Sequence, residues 1–316
     1  MKSARHLISL QIILPSLLFI LLFLSGCFRE NNVKPMEGSE YGSLTHDGIK
    51  RTYLIHLPPT YNDGDQPLPL VIALHGGGGS GAQFEKASML SEKADKENFI
   101  VVYPDGSETE GLLKVNTWNV GHCCGKNTAD DIGFISALVD DLSTRYRVNP
   151  KKIYATGHSN GAMMCYRIAD ELSSRIAAIA PNAGSLQIKE VYDPSRNVPA
   201  IHIHSKLDKN IPVNGGYGEG ISDHYNPPLD STLNVVASYA GCTSGKQTVN
   251  TFPLYSVYKW ENCTDANFEV LLYFTEDGGH TWPGGNQGSK LADDEVSKAF
   301  SNDDIIWAFF QRHPLP

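Results

Sequence analysis

The stretch YATGHSNGAMMCYRIAD, residues 154–170, places a serine between two glycines where an apolar run meets an amphipathic one. The serine is Ser159, and Gly157 and Gly161 lie two positions before and after it. Serine often starts a helix, where its side chain caps the first N–H groups. A cap does not need glycine on both sides, whereas a sharp strand-to-helix turn does, because side chains there would collide. The stretch therefore predicts a strand, a strained turn that presents Ser159, and a helix.

Apolar runs elsewhere in the chain alternate with segments of helical periodicity. Strands are predicted over residues 51–57, 68–74, 99–103, 153–155, 176–180, 200–204 and 268–274. Helices are predicted over residues 83–96, 130–146, 162–172, 232–239 and 303–311. This alternation indicates the α/β class, with a mostly parallel central sheet and helices on both faces. No linker interrupts residues 46–316, so they are predicted to form a single domain.

The N-terminal segment differs from the rest of the chain. A short basic segment precedes an almost unbroken apolar run over residues 7–24, long enough for an uncleaved signal anchor. The run ends in LSGC, which resembles the lipobox of bacterial lipoproteins, where a peptidase cuts before the cysteine and the cysteine is lipidated. This resemblance implies that residues 1–27 are a signal peptide ending at lipidated Cys27, followed by a flexible tether over residues 28–45. An exported lipoprotein of the outer membrane or cell surface is expected.

Composition and charge narrow the possible partners. With 41% hydrophobic and 19% charged residues, the chain has the composition of a folded globular protein. The formal net charge is -9, and no basic patch offsets it. Nucleic acid and an anionic membrane surface would both repel such a chain. Nucleic acid is therefore not predicted as a partner, and membrane contact is expected only through the lipid anchor.

Export also determines what the remaining five cysteines are expected to do. In an oxidising compartment, disulfides prevail over metal thiolates. Cys242 and Cys263 flank a hairpin-like segment and are predicted to pair. Either Cys123 or Cys124 is predicted to reach Cys165, which leaves one thiol over.

A serine hydroxyl becomes a good nucleophile only when a base takes its proton. Among the histidines after Ser159, His224 lies in a polar insertion and His313 lies near the C-terminus. His280 directly follows the strand predicted at residues 268–274. Open α/β sheets place their sites in the loops beyond the carboxyl ends of strands. His280 is therefore the predicted base.

The acid that orients the base is predicted to be Asp208. It follows the strand at residues 200–204 by four positions, so its loop reaches the same edge of the sheet. Its carboxylate would orient His280 and stabilise the imidazolium formed during proton transfer. Asp223 and Asp230 are weaker alternatives, because both lie in or beside the polar insertion.

Two backbone N–H groups are expected to stabilise the oxyanion that forms when Ser159 attacks. The segment HGGGGSG, residues 75–81, directly follows a predicted strand, and its glycines let the backbone approach a substrate. Gly77 is the favoured donor, with Gly76 as the alternative. Asn160, the residue after the nucleophile, supplies the second N–H.

No metal or cofactor is predicted. The HCC sequence at residues 122–124 lacks a C-x-x-C spacing, and His202 and His204 are more typical of hydrogen-bonded histidines in a buried sheet. The glycine-rich segment is followed by Ala82 and Gln83 and not by the Lys-Ser/Thr of a phosphate-binding loop.

Seven motifs together carry a family resemblance: LHGGGGSG, YPDG, TWN, CCG, ADDIGFISALVDDL, GHSNGAMMCYRIA and GGHTWPGG. Over roughly residues 48–312, the chain resembles the polyhydroxybutyrate depolymerase-like esterases, which include bacterial and fungal feruloyl esterases. The resemblance implies an α/β-hydrolase fold with Ser159, Asp208 and His280 as the triad.

The resemblance also implies that Trp118 and Trp282 border the acyl site, with core packing as the alternative. The segment HSKLD at residues 204–208 departs from the HGTAD-like segment of many relatives, although its aspartate is kept. An appended polymer-binding domain, as in secreted depolymerases, is not expected.

The predicted function is hydrolysis of carboxylic esters through an acyl-serine intermediate. The expected substrates are feruloyl or acetyl esters of polysaccharides, or short hydroxyalkanoate esters of the polyhydroxybutyrate type. A serine peptidase of the same fold and a non-catalytic surface binding protein are the alternatives.

Overall fold

The computed structural model describes residues 33–110, 114–188, 191–220, 224–265, 267–288 and 294–316. Residues Pro35–Pro316 form one compact unit. Within the described residues, no helix has both the length and the apolar character needed to cross a membrane. The predicted signal peptide and its lipidated Cys27 lie outside the described residues, so both remain predictions.

Ten strands form one sheet among the described residues, in the order β1-β2-β4-β3-β7-β8-β9-β14-β13-β12. These strands are β1 (Ser39–His46), β2 (Ile49–His56), β3 (Leu68–Leu74), β4 (Ile100–Pro104), β7 (Val148–His158), β8 (Ala178–Asn182), β9 (Ala200–Ser205), β12 (Ser244–Thr251), β13 (Tyr255–Glu261) and β14 (Val270–Thr275). The central strands from β4 to β14 run parallel, and antiparallel strands flank them on both sides. Two short hairpins complete the strands: β5 (Ser107–Glu108) with β6 (Asn116–Thr117), and β10 (Gly216–Tyr217) with β11 (Tyr225–Asn226).

Helices cover both faces of the sheet. Those in the described residues are α1 (Gly81–Ser88), α2 (Leu90–Glu97), α3 (Asp131–Arg145), α4 (Asn160–Glu171), α5 (Leu229–Tyr239) and α6 (Asn302–Arg312). Ile153 and Ala155 of β7 belong to the core cluster that contains Leu138 of α3. Tyr154 between them stacks on Phe310 of α6, with ring centroids 4.5 Å apart. Because successive side chains of a strand point to opposite faces, α3 and α6 cover opposite faces, as predicted.

The register of the parallel strands brings their carboxyl ends to one edge. The pairs at this edge are Leu74 with Gly157, His158 with Asn182, and Ser205 with Thr275. The loops that follow β3, β7, β9 and β14 therefore begin side by side. These are the loops on which the sequence places the glycine-rich segment, the nucleophile, the acid and the base.

The predicted elements are present, with two differences. The helix predicted over residues 83–96 is broken at Met89, which adopts a left-handed conformation with φ 64° and separates α1 from α2. The flexible tether predicted over residues 28–45 is wrong for residues 39–45, because β1 occupies them and pairs along its whole length with β2. Half of the residues of β1 are exposed and none is buried, so the strand lacks the apolar alternation that would have predicted it.

One of the two predicted disulfides is found. Cys242 and Cys263 are bonded beside the β12–β13 hairpin. Cys123 is bonded to its neighbour Cys124, and Cys165 is a buried free thiol, so the predicted bond to Cys165 is wrong. Cys165 lies in α4 within the core, and burial raises the pKa of its thiol well above the usual value. Sequence spacing carries no information on which thiols meet in the fold, and here an adjacent residue is the partner.

Candidate active site

Ser159 lies at the turn between β7 and α4 in a conformation that no ordinary helix cap adopts. Its backbone has φ 58° and ψ -120°, and its side chain makes no capping hydrogen bond. Ser80 and Ser301, in contrast, have extended backbones, and their side chains accept a hydrogen bond at the starts of α1 and α6. Such a strained non-glycine residue persists only where its surroundings enforce it. The cap interpretation therefore fails for Ser159.

The glycines around Ser159 are required by close backbone contacts. A Cβ on Gly157 would lie 2.6 Å from the backbone of Gly161, and a Cβ on Gly161 would collide with the carbonyl oxygen of Leu74. A Cβ on Gly184, beyond β8, would lie 2.9 Å from the carbonyl oxygen of Ser159. The turn is thus packed against two neighbouring strands, and this packing maintains its strain.

Asp208, which is buried, and His280, which is half-buried, form a hydrogen-bonded pair. His280 Nδ1 lies 2.8 Å from Asp208 Oδ2, and Asp208 Oδ1 accepts the N–H groups of Asn210 and Ile211 at 2.9 and 2.8 Å. Burial raises the pKa of Asp208, but the charge of His280 and the hydrogen bonds from His204 and His280 outweigh it and hold the pKa below its usual range. An ionised carboxylate only accepts, so His280 Nδ1 carries the proton and Nε2 offers a lone pair.

Asn182, at the end of β8, links the nucleophile turn to the loop of the base. Its carbonyl accepts the N–H of Ser159 at 2.9 Å, and its amide nitrogen donates to the carbonyl of Thr281 at 3.0 Å and to His158 Nδ1 at 2.8 Å. The ring of His158 lies 4.6 Å from that of His280, centroid to centroid. Burial lowers the pKa of His158 to about 3, so His158 adds no charge beside the base. The structure therefore brings the three predicted triad loops together.

The glycine-rich loop narrows the choice of oxyanion donor. The N–H of Gly78 donates to the carbonyl of Asn116 at 2.7 Å, and that of Gly79 donates to the carbonyl of Gly76 at 3.0 Å. The N–H groups of Gly78 and Gly79 therefore already have acceptors. A Cβ on Gly77 would lie 3.8 Å from that of Asn160, and one on Gly76 would lie 3.3 Å from that of Ser159. Gly77 and Gly76 therefore stay the two predicted donors, next to the nucleophile.

Asn160 is the first residue of α4, where backbone N–H groups have no partner within the helix. Its side chain is buried and pairs with Trp118: Oδ1 accepts the backbone N–H at 2.7 Å, and Nδ2 donates to the carbonyl at 3.2 Å. The side chain is thus held away from the turn, and its backbone N–H stays the predicted second oxyanion donor.

The two tryptophans predicted to border the acyl group lie in the core. Trp118 is fully buried, and its Nε1 donates to the carbonyl of His75 at 3.0 Å. Trp282 is 3% exposed, its Nε1 donates to Asp303 at 3.0 Å, and its ring packs edge-on against Phe84. Neither ring presents surface to a substrate, so the core alternative replaces the prediction. An aromatic residue in a glycine-rich loop gives no indication of which side it faces.

In the part of the chain that the structure describes, two groups of side chains bring three metal-ligand atoms within 4.8 Å of one another: Cys123, Cys124 and His224, and His46, Asp47 and Asp130. In the first group both sulfurs are joined in the disulfide and are not available as thiolates. In the second group, all three side chains are at least partly exposed, and His46 Nε2 already contacts Asp130 at 3.0 Å. Neither group contains a triad residue.

Two histidines support these loops in a way that the sequence did not predict, although the prediction that His204 is hydrogen-bonded in a buried sheet is confirmed. His75 Nδ1 donates to the carbonyl of Gly76 at 2.7 Å, and its Nε2 accepts the N–H of Gly106 at 2.9 Å. Burial lowers the pKa of His75, so the neutral form that these two bonds require is favoured. His204, on β9, contacts Asp208 Oδ2 at 3.3 Å. The sequence feature that could have indicated this role for His75 and His204 is a polar residue at the carboxyl end of an apolar strand.

Known proteins resemble this chain in sequence. The family model described as esterase PHB depolymerase matches residues 51–211, about half of the chain. The chain belongs to this family. Among curated proteins, feruloyl esterase B of Piromyces equi is 31% identical over 245 residues, which cover 75% of this chain and 44% of that protein. The putative esterase NocK of Nocardia uniformis subsp. tsuyamanensis is 29% identical, over 75% of this chain and 72% of that protein.

A solved structure shares the fold of this esterase-family chain. The acetyl xylan esterase from Aspergillus awamori superposes with a TM-score of 0.59 at 16% identity, over 86% of this chain and 99% of that one. At this identity the likeness establishes the fold alone. The predicted α/β-hydrolase fold, with its mostly parallel sheet, is confirmed.

Proposed function

We propose that this protein is a serine carboxylesterase in which Ser159, His280 and Asp208 act as the triad. The strained backbone of Ser159 is the observation that carries the proposal, because nothing in helix capping requires it. The hydrogen bond between His280 and the buried Asp208, on neighbouring loops, supports the proposal. Membership of an esterase family supports the reaction class.

The proposed reaction begins with a proton transfer from Ser159 to His280. With Nδ1–H bonded to Asp208, Nε2 of His280 takes the proton while Oγ attacks the ester carbonyl. The backbone N–H groups of Gly77 and Asn160 stabilise the oxyanion, and the positive end of α4 adds to this. Asp208 stabilises the imidazolium, which then protonates the leaving alcohol. Water hydrolyses the acyl-serine by the same steps in reverse order.

The substrate class is proposed from the names of the relatives. We propose feruloyl or acetyl esters of polysaccharides, or short hydroxyalkanoate esters, as the substrates. The cleft of about 510 Å³ that His122, Gln187, Tyr217 and Tyr225 help to line contains none of the triad residues, so it does not define the acyl site. Curated relatives are named feruloyl esterase and poly(3-hydroxyalkanoate) depolymerase.

The test is turnover of a panel of esters by the wild type and by Ser159→Ala. Loss of a triad nucleophile lowers kcat by about three orders of magnitude or more, and the fold should stay intact. Ser301→Ala is the matched control, because it removes a true helix-capping serine and should leave kcat unchanged. Retention by Ser159→Ala of more than about a hundredth of wild-type kcat would reject the proposal.

The same panel tests the substrate class. We expect kcat/KM to be highest for acetyl to butyryl or hydroxycinnamoyl esters and to fall beyond about eight carbons, since long acyl chains need a deep apolar tunnel. A preference for palmitoyl over butyryl esters would contradict this class. Faster cleavage of peptides than of esters would favour the peptidase alternative, and no turnover of either would favour a binding protein.

Location is proposed in the same way. The disulfide between Cys242 and Cys263 is consistent with an exported protein, because such bonds persist in oxidising compartments. We propose that the protein is a bacterial membrane lipoprotein anchored through Cys27. The support for the anchor is the lipobox-like sequence alone.

A further inference from the structure

A line of buried hydrogen bonds runs from the helix behind the nucleophile to Asp208. The hydroxyl of Tyr166 lies 2.6 Å from His202 Nδ1, and His202 Nε2 lies 3.0 Å from His204 Nδ1. His204 Nε2 then lies 2.9 Å from the carbonyl oxygen of Ile211 and 3.3 Å from Asp208 Oδ2. Tyr166 and His202 are fully buried, and His204 is 2% exposed.

The direction of these hydrogen bonds follows from the acceptors at one end. In the neutral form of His204 the proton must be on Nε2, because a carbonyl and a carboxylate both face this nitrogen and neither donates. Its Nδ1 must then accept, and His202 Nε2 donates to it. A neutral His202 has no second proton, so its Nδ1 accepts from the Tyr166 hydroxyl.

The ionisation of the first two groups agrees with this direction. Burial raises the pKa of Tyr166 well above the usual value, so its hydroxyl keeps its proton. Burial lowers the pKa of His202 well below the usual value, and a charge on the nearby His204 would lower it further, so the His202 ring stays neutral. With His204 neutral as well, all the hydrogen bonds in the line donate towards the loop of Asp208.

The line also connects the elements that carry the triad. Tyr166 lies in α4, the helix that begins directly after Ser159, and His202 and His204 lie on β9, which leads into the loop of Asp208. Two histidines in a buried parallel strand occupy positions that apolar residues usually fill. Buried polar groups are costly unless they are fully bonded, and here they are bonded in a series that ends at the acid.

We propose that Tyr166, His202 and His204 are positioning residues that hold Asp208 in the orientation its bond to His280 requires. The inference rests on the proposed function, in which Asp208 orients the base. Asp208 follows β9 in a loop, and His204 Nε2 lies 3.3 Å from the carboxylate oxygen that His280 also uses. Without this contact, Asp208 keeps the two backbone N–H groups on its other oxygen and the bond to His280 itself.

The first test compares two substitutions of His204. His204→Phe removes the contacts of His204 Nε2 with Ile211 and with Asp208. It should lower kcat about ten- to hundredfold, the usual effect of a lost bond to a charged group. KM should change less than about twofold. His204→Gln keeps an N–H close to the position of Nε2 and should recover most of the loss. A His204→Gln variant no better than His204→Phe would overturn the proposal, since shape and not donation would then decide.

Tyr166→Phe keeps the ring and removes only the hydroxyl at the far end of the line. It should lower kcat about three- to tenfold, with KM unchanged, since a neutral hydrogen bond is worth less than a charged one. It also decides the case if His204→Phe does not fold. Wild-type kcat in Tyr166→Phe, or in a folded His204→Phe, would overturn the proposal. His56→Phe is the matched control. His56 lies on β2, is equally buried and is bonded to Ser39 and Asp95, so kcat should not change.

A double mutant separates positioning from a general structural role. If His204 acts through Asp208, then His204→Phe should add no further loss of kcat in an Asp208→Ala background. Equal losses in both backgrounds would overturn the proposal. Ser159→Ala is assayed on the same ester. Turnover that survives Ser159→Ala refutes the proposed function. A rate that depends on Ser159 but is unchanged by the His204 and Tyr166 substitutions refutes only the positioning role.

Discussion

The two carboxylate oxygens of Asp208 have separate partners. One accepts two backbone N–H groups, and the other accepts the Nδ1–H of His280. An asparagine at this position would keep one acceptor oxygen but would present an N–H donor to the other partner. The ring of His280 would then have to turn or to shift its proton to Nε2, where it could no longer receive a proton from Ser159.

Asp208→Asn should therefore lower kcat by about three to four orders of magnitude. The matched control is Asp230→Asn. Asp230 was one of the two alternative acids predicted from the sequence, and in the structure it pairs with Lys246 on the surface. Its kcat should stay at the wild-type value. An Asp208→Asn enzyme within about tenfold of wild type would remove Asp208 from the triad.

At the scale of single elements, the start of α6 contains two aspartates in opposite surroundings. Burial raises the pKa of Asp303 to about 7, although Trp282 Nε1 donates to it. Asp304 is exposed, and its hydrogen bond with Lys93 lowers its pKa. The folded state therefore favours the protonated form of Asp303 and the ionised form of Asp304.

Asp303→Asn should become stabilising relative to wild type as the pH rises. A raised folded pKa contributes stability that is complete below about pH 4 and is lost by about pH 7, and asparagine does not lose it. The difference in free energy of unfolding between variant and wild type should grow by about 1–3 kcal/mol between pH 4.5 and pH 8, measured with urea. Asp304→Asn is the control, and its difference should stay nearly constant over this range, because a carboxylate with a lowered pKa is ionised in both the folded and the unfolded state above about pH 4.5. A pH-independent difference for Asp303→Asn would contradict the raised pKa.

Elements with a clear apolar period were predictable from the sequence, and those without one were not. Residues 68–74 form β3 as predicted, since a short buried run bounded by turns has few alternatives. β1 was missed because an exposed edge strand has no apolar face. The break at Met89 was missed because it depends on a left-handed residue without a glycine signal.

Within the candidate site, motifs predicted the groups that follow strands, and tertiary contacts decided the rest. The turn at Ser159 and the loop of His280 carry local signals, and the structure brings them together. The link through Asn182 and the line through His204 depend on contacts between distant segments, which no local pattern contains. The burial of Trp118 likewise follows from the fold and not from its neighbours in sequence.

For the whole molecule, the family match ends before the proposed site is complete. The matched residues 51–211 include Ser159 and Asp208, whereas His280 lies beyond them on the loop after β14. The parallel pairing of β14 with β9 brings that loop back to the same edge of the sheet. The position of the base thus follows from the sheet topology of this chain.

The proposed lipid anchor predicts where the whole molecule is found in the cell. Cys27→Ser should move the protein out of the membrane fraction or stall its processing, because the thiol that carries the acyl groups is lost. Fractionation and labelling with palmitate measure this. Equal labelling of wild type and variant would show that Cys27 is not the lipidated residue.

The buried thiol of Cys165 allows opening of the helix that follows Ser159 to be measured by chemical labelling. Cys165 is the free cysteine among the described residues, and its side chain is fully buried in α4. A thiol-specific dye can reach it only when that helix opens, so the labelling rate measures how often the support of the nucleophile comes apart. Covalent phosphonylation of Ser159 should slow this labelling if the reacted site holds the helix closed.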